Sequence, residues 1–401
     1  MNLYLLLLFN IIQIILLVIL GLSLLYIFLF SMAGLLYQQK PYPETMVKRK
    51  IAVLIPGYKE DEVIVEVAEE VLLQNYPKDR FDVIIIADSF QPETIAKLKQ
   101  LQVIVIEVSF EKSTKAKALN KAMELLDDSY DLAIVLDADN IMAADFLSKM
   151  NSTFEKGWTV VQGHRTAKNL NTSWAILDAI SEEINNHIFR KGHRVLGLSA
   201  AIIGSGMAFR YPFFKELMRP VKAIGGFDKE IELKLTSAGH TVEYLNNAMV
   251  FDEKVQNSEV FRHQRRRWLS AQFHYFRQDI FKAIKALFTK GNVDYFNKTI
   301  QFIQPPRIIL LGQVLFFSVV YFIFNLFLHN DPVYSIFWVL MLFFTFLTFL
   351  FAVPSSFYNK NTLKALISLP KGMILMLDSL LKIKGANKQF IHTKHTSSKT
   401  N

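Results

Sequence analysis

The chain has 401 residues, 51% of them hydrophobic and 34 of them Phe, with a formal net charge of +9 and a mean hydropathy of +0.24. Cysteine is absent, which excludes disulfides and thiolate metal sites and leaves the redox compartment open. The apolar residues are bunched toward the two ends, as in a membrane protein with a soluble body. Positive charge beside apolar segments suits anionic lipid headgroups, and no motif supports nucleic-acid binding.

From Leu3 to Gln38 no residue is charged. A crossing needs about 20 residues, so this stretch exceeds one span and is expected to continue along the interface. It lacks the basic start and small-residue cleavage site of a signal peptide. Lys40, Lys48, Arg49 and Lys50 follow, which puts the next segment in the cytoplasm and the N-terminus outside. The first unit is thus a transmembrane segment over 1–40, and the soluble body begins near 48.

Ile51 to Ile55 reads as a buried strand closed by Pro56-Gly57, and Asp61 to Gln74 carries apolar residues at helical spacing. Phe81 to Ala87 gives a second strand ending at Asp88, Gln91 to Leu101 a helix, and Val103 to Val108 a third strand. Ser113 is placed to cap a helix running to about Leu126. The next strand, Leu132 to Leu136, ends in Asp137-Ala138-Asp139. In an extended backbone residues two apart point the same way, so both carboxylates converge at the strand's carboxyl end, the edge where ligands bind in open α/β sheets. Two hard oxygen donors with no Cys or His beside them suit Mg²⁺ or Mn²⁺ with a substrate diphosphate. Strand alternating with helix four times predicts a parallel, doubly wound sheet.

Downstream, a helix from about Ala143 to Lys156 should stop at Gly157, a strand covers Thr159 to Gln162, and Ser173 caps a helix to about Arg190. Glu182, Glu183 and His187 on that helix read as a salt pair at i, i+4 and not as a metal site. A Gly204-Ser205-Gly206 turn, an acidic stretch (Phe227 to Leu235) and a basic one (Arg262 to Trp268) complete a soluble domain over 48–271. Residues 272–304 mix aromatics with Arg277, Lys282, Lys285 and Lys290, the pattern of amphipathic helices on a membrane surface. Uncharged runs at Ile308 to Leu328 and Val333 to Tyr358 predict a transmembrane hairpin over 305–359. Over 360–401, Pro370 and Lys371 interrupt an interfacial helix that leads to a basic cytoplasmic tail. His392 and His395 in that tail do not read as metal ligands. Three crossings, N-terminus outside and C-terminus inside, make a multi-pass protein of the cell membrane with a cytoplasmic soluble domain.

The order PGYKED (Pro56 to Asp61), IIADS (Ile85 to Ser89), KAKALN (Lys115 to Asn120), LDADN, GSGMAF (Gly204 to Phe209) and QRRRW (Gln264 to Trp268) resembles the membrane-bound family 2 glycosyltransferases, which include cellulose and hyaluronan synthases and ceramide glucosyltransferase. The resemblance covers roughly Ile51 to Gln272. It implies a GT-A (Rossmann-like) fold with N- and C-terminal transmembrane helices, and an inverting transfer from a nucleotide-sugar, with a UDP-sugar the expected donor.

By this resemblance Tyr58 and Glu60 lie where the nucleotide base docks, and Asp88 accepts from base or ribose. The family usually has Asn where Lys59 stands, so Lys59 receives no role. Lys115, at a helix start, favours a phosphate. Asp139 ligates the metal, Asp137 stands near metal or ribose, and Arg267 holds the leaving diphosphate. Trp268, Gln264 and Gly206 are assigned to the acceptor pocket. Arg265 and Arg266 read as facing lipid headgroups. Relatives carry a Glu-Asp pair upstream of QRRRW, the Asp serving as base. Lys229-Glu230 occupies those positions here, so the base falls to Glu230, one methylene longer, with Asp228 and Glu232 as rivals.

The acceptor stays open between a membrane lipid, a lipid-linked molecule and a polysaccharide. Three crossings favour the lipidic classes, because relatives that extrude polymers bring more. A processive synthase subunit is the alternative, with a homo-oligomer building its channel. A non-catalytic, nucleotide-sensing membrane scaffold is a further alternative, resting only on the substituted base region.

Overall fold

The computed structural model describes residues 3–383, so the tail with His392 and His395 lies outside the described residues. Helix α1 (Leu3–Leu35) leads into β1 (Ile51–Tyr58), α2 (Ile64–Leu72), β2 (Phe81–Asp88), α3 (Pro92–Leu98), β3 (Ile104–Val108), α4 (Lys115–Leu125) and β4 (Leu132–Val135). The second half runs β5 (Ile141–Met142), α5 (Phe146–Thr153), β6 (Val160–Ala167), α6 (Ser173–Asn185), a π-helical turn (Asn186–Gly192), α7 (His193–Val195), β7 (Met207–Arg210), α8 (Tyr211–Met218), α9 (Phe227–Ser237) and β8 (Val242–Asp252). Then follow α10 (Ser258–Lys290), α11 (Val293–Ile303), α12 (Arg307–Phe327), α13 (Pro332–Ala352), α14 (Lys360–Leu366) and α15 (Leu369–Leu381).

The strands form one open sheet in the order β3-β2-β1-β4-β7-β6-β8-β5. The four strands that alternate with helices, β3-β2-β1-β4, are parallel as that alternation predicts; the sheet as a whole is mixed, because β7 enters antiparallel between β4 and β6 and β5 lies antiparallel on β8. Since β7 is inverted, β6 and β8 point the same way as β1, β2 and β4, and their carboxyl ends share one edge. Side chains alternate across the sheet. Ile51, Val53 and Ile55 pack with Val67, Phe146 and Met150 on one face, while Ala52 and Leu54 meet Leu119, Phe214 and Ile231 on the other.

Three local expectations are corrected. Strand β1 runs on through Pro56 to Tyr58, because β4 pairs it only as far as Leu54 and the missing proline N–H falls beyond that ladder. The caps of α4 and α6 are Thr114, one residue after the expected Ser113, and Thr172, one residue before the expected Ser173; their hydroxyls accept from Lys117 N (3.2 Å) and Ala175 N (3.1 Å). Glu183 and His187 do not pair with each other. Glu183 accepts from His164 (3.0 Å) and Thr166 (2.8 Å), while His187 Nε2 meets the Ser31 carbonyl oxygen at 2.8 Å.

Among the described residues three helices are long and apolar enough to cross a membrane: 4–35, 307–327 and 332–352. They form one bundle around Leu24, Ile27, Val314, Tyr321 and Trp338. Asn325 donates to Gln13 (3.3 Å) and Asn330 to Asn10 (2.7 Å), which brings the start of α1 to the turn between α12 and α13. At about 50 Å, α1 outruns a bilayer core. Its end docks on the soluble domain, where the Phe30 ring stacks on His193 at 3.9 Å. Likewise α10 is one unbroken helix through residues 271 and 272, joining the soluble domain to the aromatic, lysine-bearing stretch with exposed Phe281 and Phe288. Pro370 opens α15, in agreement with the interruption expected there.

Candidate active site

The shared carboxyl edge of the sheet collects polar residues from sequence-distant strands. Tyr58 ends β1 in register with Asp88 at the end of β2, and Lys59 N donates to the Asp88 carbonyl oxygen at 3.1 Å. Lys59 and Ser89 both adopt positive φ (56° and 60°), so the chain leaves both strands through left-handed residues that are not glycine. Asp88 is buried and accepts from the Ser89 hydroxyl at 3.0 Å, and Glu60 is buried just beyond β1. A Cβ on Gly57 would lie 2.7 Å from the Phe90 ring and 3.5 Å from Ala138 Cβ, so these strand ends abut the Asp137-Ala138-Asp139 segment.

That segment is a turn, closed by Asn140 N donating to the Asp137 carbonyl oxygen (3.1 Å), and not the extended strand end from which convergence was expected. The two carboxylates therefore differ. Asp137 has a side chain 35% exposed, paired with the Lys115 ammonium, and its backbone N–H donates to Ser205 Oγ at 3.0 Å. Asp139 is buried and accepts from Asn140 Nδ2 and from the Glu253 backbone N–H, both at 3.2 Å. Lys115 also donates to the Gly204 carbonyl oxygen (2.8 Å), so it ties the start of α4 to the turn before β7.

Behind Asp137 lies a buried charge network. Arg165, at the end of β6, reaches Asp137 (3.9 Å), Asp252 (3.8 Å) and Glu182 (2.9 Å). Arg190 meets Glu182 at 3.2 Å and Lys254 meets Asp252 at 2.8 Å. Burial works against the Asp252 charge, yet Arg165 and Lys254 bring its carboxyl down to about 2. Glu182 is likewise opposed by burial and held well below the carboxylate range by Arg165, Lys254 and Arg190. Sequence reading assigned no role to Arg165, Asp252 or Lys254. A signal existed for Asp252, since it closes an apolar strand as Asp88 does.

Helix α9 turns Glu230 away from Asp228 and Glu232, because residues two apart on a helix point about 200° away from each other, while Asp228 and Glu232, four apart, share a side and differ in their surroundings. Asp228 lies toward the site: a Cβ on Gly204 would sit 3.7 Å from Asp228 Cβ, and Phe227 beside it lies under the Lys115 ammonium at 5.4 Å. Its carboxylate pairs with Lys229 Nζ at 3.0 Å. Glu230 faces α10, accepting from the Tyr275 hydroxyl (3.4 Å) and meeting Lys234 (3.5 Å). Glu232 is fully buried, accepting from Ile202 N and paired with Lys298, both at 3.1 Å.

On α10, Gln264, Arg267 and Trp268 share a face, and Trp268 is partly exposed. Burial pulls the Arg267 guanidinium below its ordinary value. Arg265 is not a surface residue: it pairs with Asp178 and lies 4.3 Å over the Trp268 ring. Gly206 is buried inside the sheet. It donates to the Val135 carbonyl oxygen (2.9 Å), accepts from Gly163 N (2.8 Å), and holds φ at 61° against Val250, so its backbone groups are taken up by the sheet.

The profile of a family described as glycosyltransferase like family 2 matches residues 48–271. The chain belongs to this family. The probable glycosyltransferase YdaM of Bacillus subtilis (strain 168) is 24% identical over 232 residues, 55% of this chain; the chain spans about half (54%) of that relative's length. Among solved structures, the mannosyltransferase PcManGT from Pyrobaculum calidifontis, in complex with GDP-Man and Mn²⁺, superposes with a TM-score of 0.52 at 15% identity. The match covers 84% of this chain and 98% of that one, and it bears on the fold.

This family 2 glycosyltransferase offers limited protein ligation for a metal. Among the described residues no group of three or more His, Cys, Asp or Glu side chains could hold an ion. Asp137 and Asp139 are hard donors, of which Asp137 is the more open, and Mg²⁺ or Mn²⁺ is commonly held by one or two carboxylates with substrate oxygens and water filling the shell. The residues fit a cation that arrives with a substrate, not a preformed protein cage.

Proposed function

We propose that the protein is an inverting glycosyltransferase that moves a sugar from a nucleotide-sugar to a lipid or lipid-linked acceptor at the cytoplasmic face of the membrane. The observation that carries this reading is the meeting of Lys115, Asp137 and Gly204 with Asp228 at the carboxyl edge of the sheet. It joins a cation, a metal-type carboxylate and a base-type carboxylate on one spot. Tyr58 would offer a stacking face to the base, and Asp88 an acceptor to base or ribose. Asp137 and Asp139 would hold a divalent cation, which supplies neutralisation of the diphosphate.

Asp228, not Glu230, is the proposed base. It takes the proton of the acceptor hydroxyl as that oxygen bonds to the anomeric carbon and the bond from carbon to diphosphate breaks on the opposite side. Lys229 orients Asp228 by its ion pair. Lys115 and Arg267 meet the negative charge that grows on the leaving diphosphate. Three apolar helices and the cations after α1 support a membrane-bound, cytoplasm-facing enzyme. UDP-sugars remain the first donors to test, and the GDP-Man held by the Pyrobaculum protein adds GDP-sugars.

The experiment is a panel of radiolabelled UDP- and GDP-sugars given to the purified full chain in its native lipids with Mg²⁺ or Mn²⁺, the products separated into lipid-soluble and polymeric fractions. Label in the lipid-soluble fraction, abolished by EDTA, is expected. Label in polymer would favour a processive synthase, and no transfer from any donor would favour a scaffold.

A further inference from the structure

Arg307 opens α12 at the junction between soluble domain and bundle. Among the described residues its Nη2 donates to neutral groups, the Ser181 carbonyl oxygen (3.1 Å) and hydroxyl (3.2 Å), and its guanidinium lies 5.6 Å over the Phe189 ring. Its Nη1 is buried with no hydrogen-bond partner among the described residues. Glu182, the acid that acts on it, is already matched by Arg165 and Arg190, and Asp178 is taken up by the neighbouring Arg265. Arg265 and Arg190 stand close enough to repel Arg307, and Glu182 offsets only part of that. Arg265 has a buried Nε of its own that has no hydrogen-bond partner among the described residues.

A guanidinium with one nitrogen withdrawn from water, its charge unmatched and a hydrogen bond unmade, is a costly arrangement. It is relieved by an anion, and the planar fork of Arg suits phosphate oxygens above other anions. We propose that Arg307, with Arg265 beside it, forms a subsite for a phosphate carried on a membrane lipid. The surroundings select a lipid. Ile308 and Ile309, the next residues of α12, pack with Trp174, Phe261 and Met376 into an apolar wall. That wall continues along α12 into exposed Leu315 and Phe316, a path for a hydrocarbon chain leaving the phosphate. Free phosphate shares the headgroup chemistry but gains nothing from the wall. This inference rests on the proposed lipidic acceptor and gives it an anchor: α6, which supplies Ser181, also supplies Glu182 to the network behind Asp137.

The test is binding to the full chain in neutral detergent, read as saturable thermal stabilisation by dodecyl phosphate, inorganic phosphate, or a nucleoside diphosphate with Mg²⁺. Dodecyl phosphate is expected to stabilise the protein and inorganic phosphate at equal concentration is not. Arg307→Gln should weaken the dodecyl phosphate response at least tenfold, Arg307→Lys should weaken it less, and both should keep the nucleotide response. If Arg307→Gln does not fold, Arg307→Lys carries the comparison. No response to dodecyl phosphate, an equal response to inorganic phosphate, an unchanged response in the variants, or loss of the nucleotide response would each overturn the assignment. Because binding is read and not transfer, a chain that bound dodecyl phosphate but moved no sugar would sink the proposed activity and leave this site standing.

Discussion

Lys298→Met removes one half of an ion pair that water does not reach. Lys298 on α11 and Glu232 on α9 are both 0% exposed, with Nζ 3.1 Å from Oε1. Glu232 Oε1 also accepts from Ile202 N, and Oε2 has no partner among the described residues. Without the ammonium, α9 keeps a carboxylate with one hydrogen bond and only Lys229, already paired with Asp228, as a countercharge. Breaking a buried pair from one side costs about 3–5 kcal/mol. In a domain of this size each kcal/mol lowers Tm by roughly 2–4 °C, so the fall should be on the order of 10 °C. Glu232→Gln/Lys298→Met discards the charge but still accepts from Ile202 N, and should recover most of the loss. Thermal unfolding of the full chain in detergent, run as a double-mutant cycle, reads the coupling. Additivity within about 0.5 kcal/mol would refute the view that this pair fastens α11 to the helix bearing Asp228.

Gly192→Ala would put a Cβ 2.1 Å from the Phe30 carbonyl oxygen, so it should undock α1 from the soluble domain and lower Tm by several degrees; an unchanged Tm would mean the contact is dispensable. Burial holds the His193 imidazole well below its ordinary value, with Lys298 acting in the same direction. Its unfolded counterpart takes up a proton near pH 6.5 while the folded one stays neutral, so stability present above that pH falls as pH drops toward 5. His193→Phe should flatten this slope in Tm measured from pH 8 to 5, and an equally steep slope would contradict it. Lys59→Asn replaces a left-handed lysine with a residue that tolerates that region, and should raise stability by about 0.5–1 kcal/mol in the same assay. A lower Tm would show that Lys59 makes a compensating contact.

The strand pattern was legible because apolar runs such as Ile51 to Ile55 and Leu132 to Val135 are buried on both faces and end at acids or Gly. The inversion of β7 was not. Met207–Arg210 is only four residues, and its direction is set by pairing with β4 and β6, partners remote in sequence. Periodicity alone also could not show that Asp137 to Asn140 form a turn. The uneven burial of the two carboxylates comes from Ser205 and Glu253, far along the chain. Choosing among Asp228, Glu230 and Glu232 required knowing which of them lies by Gly204, which meets Tyr275 and which meets Lys298. The basic run Arg265-Arg266 resembles a headgroup contact in sequence, but Asp178, 87 residues earlier, draws Arg265 inward.

Comparing Asp228→Asn with Glu230→Gln in single-turnover sugar transfer tests the account most directly. Each change keeps the shape and removes the capacity to take up a proton. With donor bound to saturation, Asp228→Asn should slow transfer by about 10²–10⁴-fold with donor affinity unchanged, while Glu230→Gln should stay within a few-fold of the parent. Normal transfer by Asp228→Asn together with inactivation by Glu230→Gln would contradict the account, and would mean that α9 presents the face bearing Glu230 to the sugar.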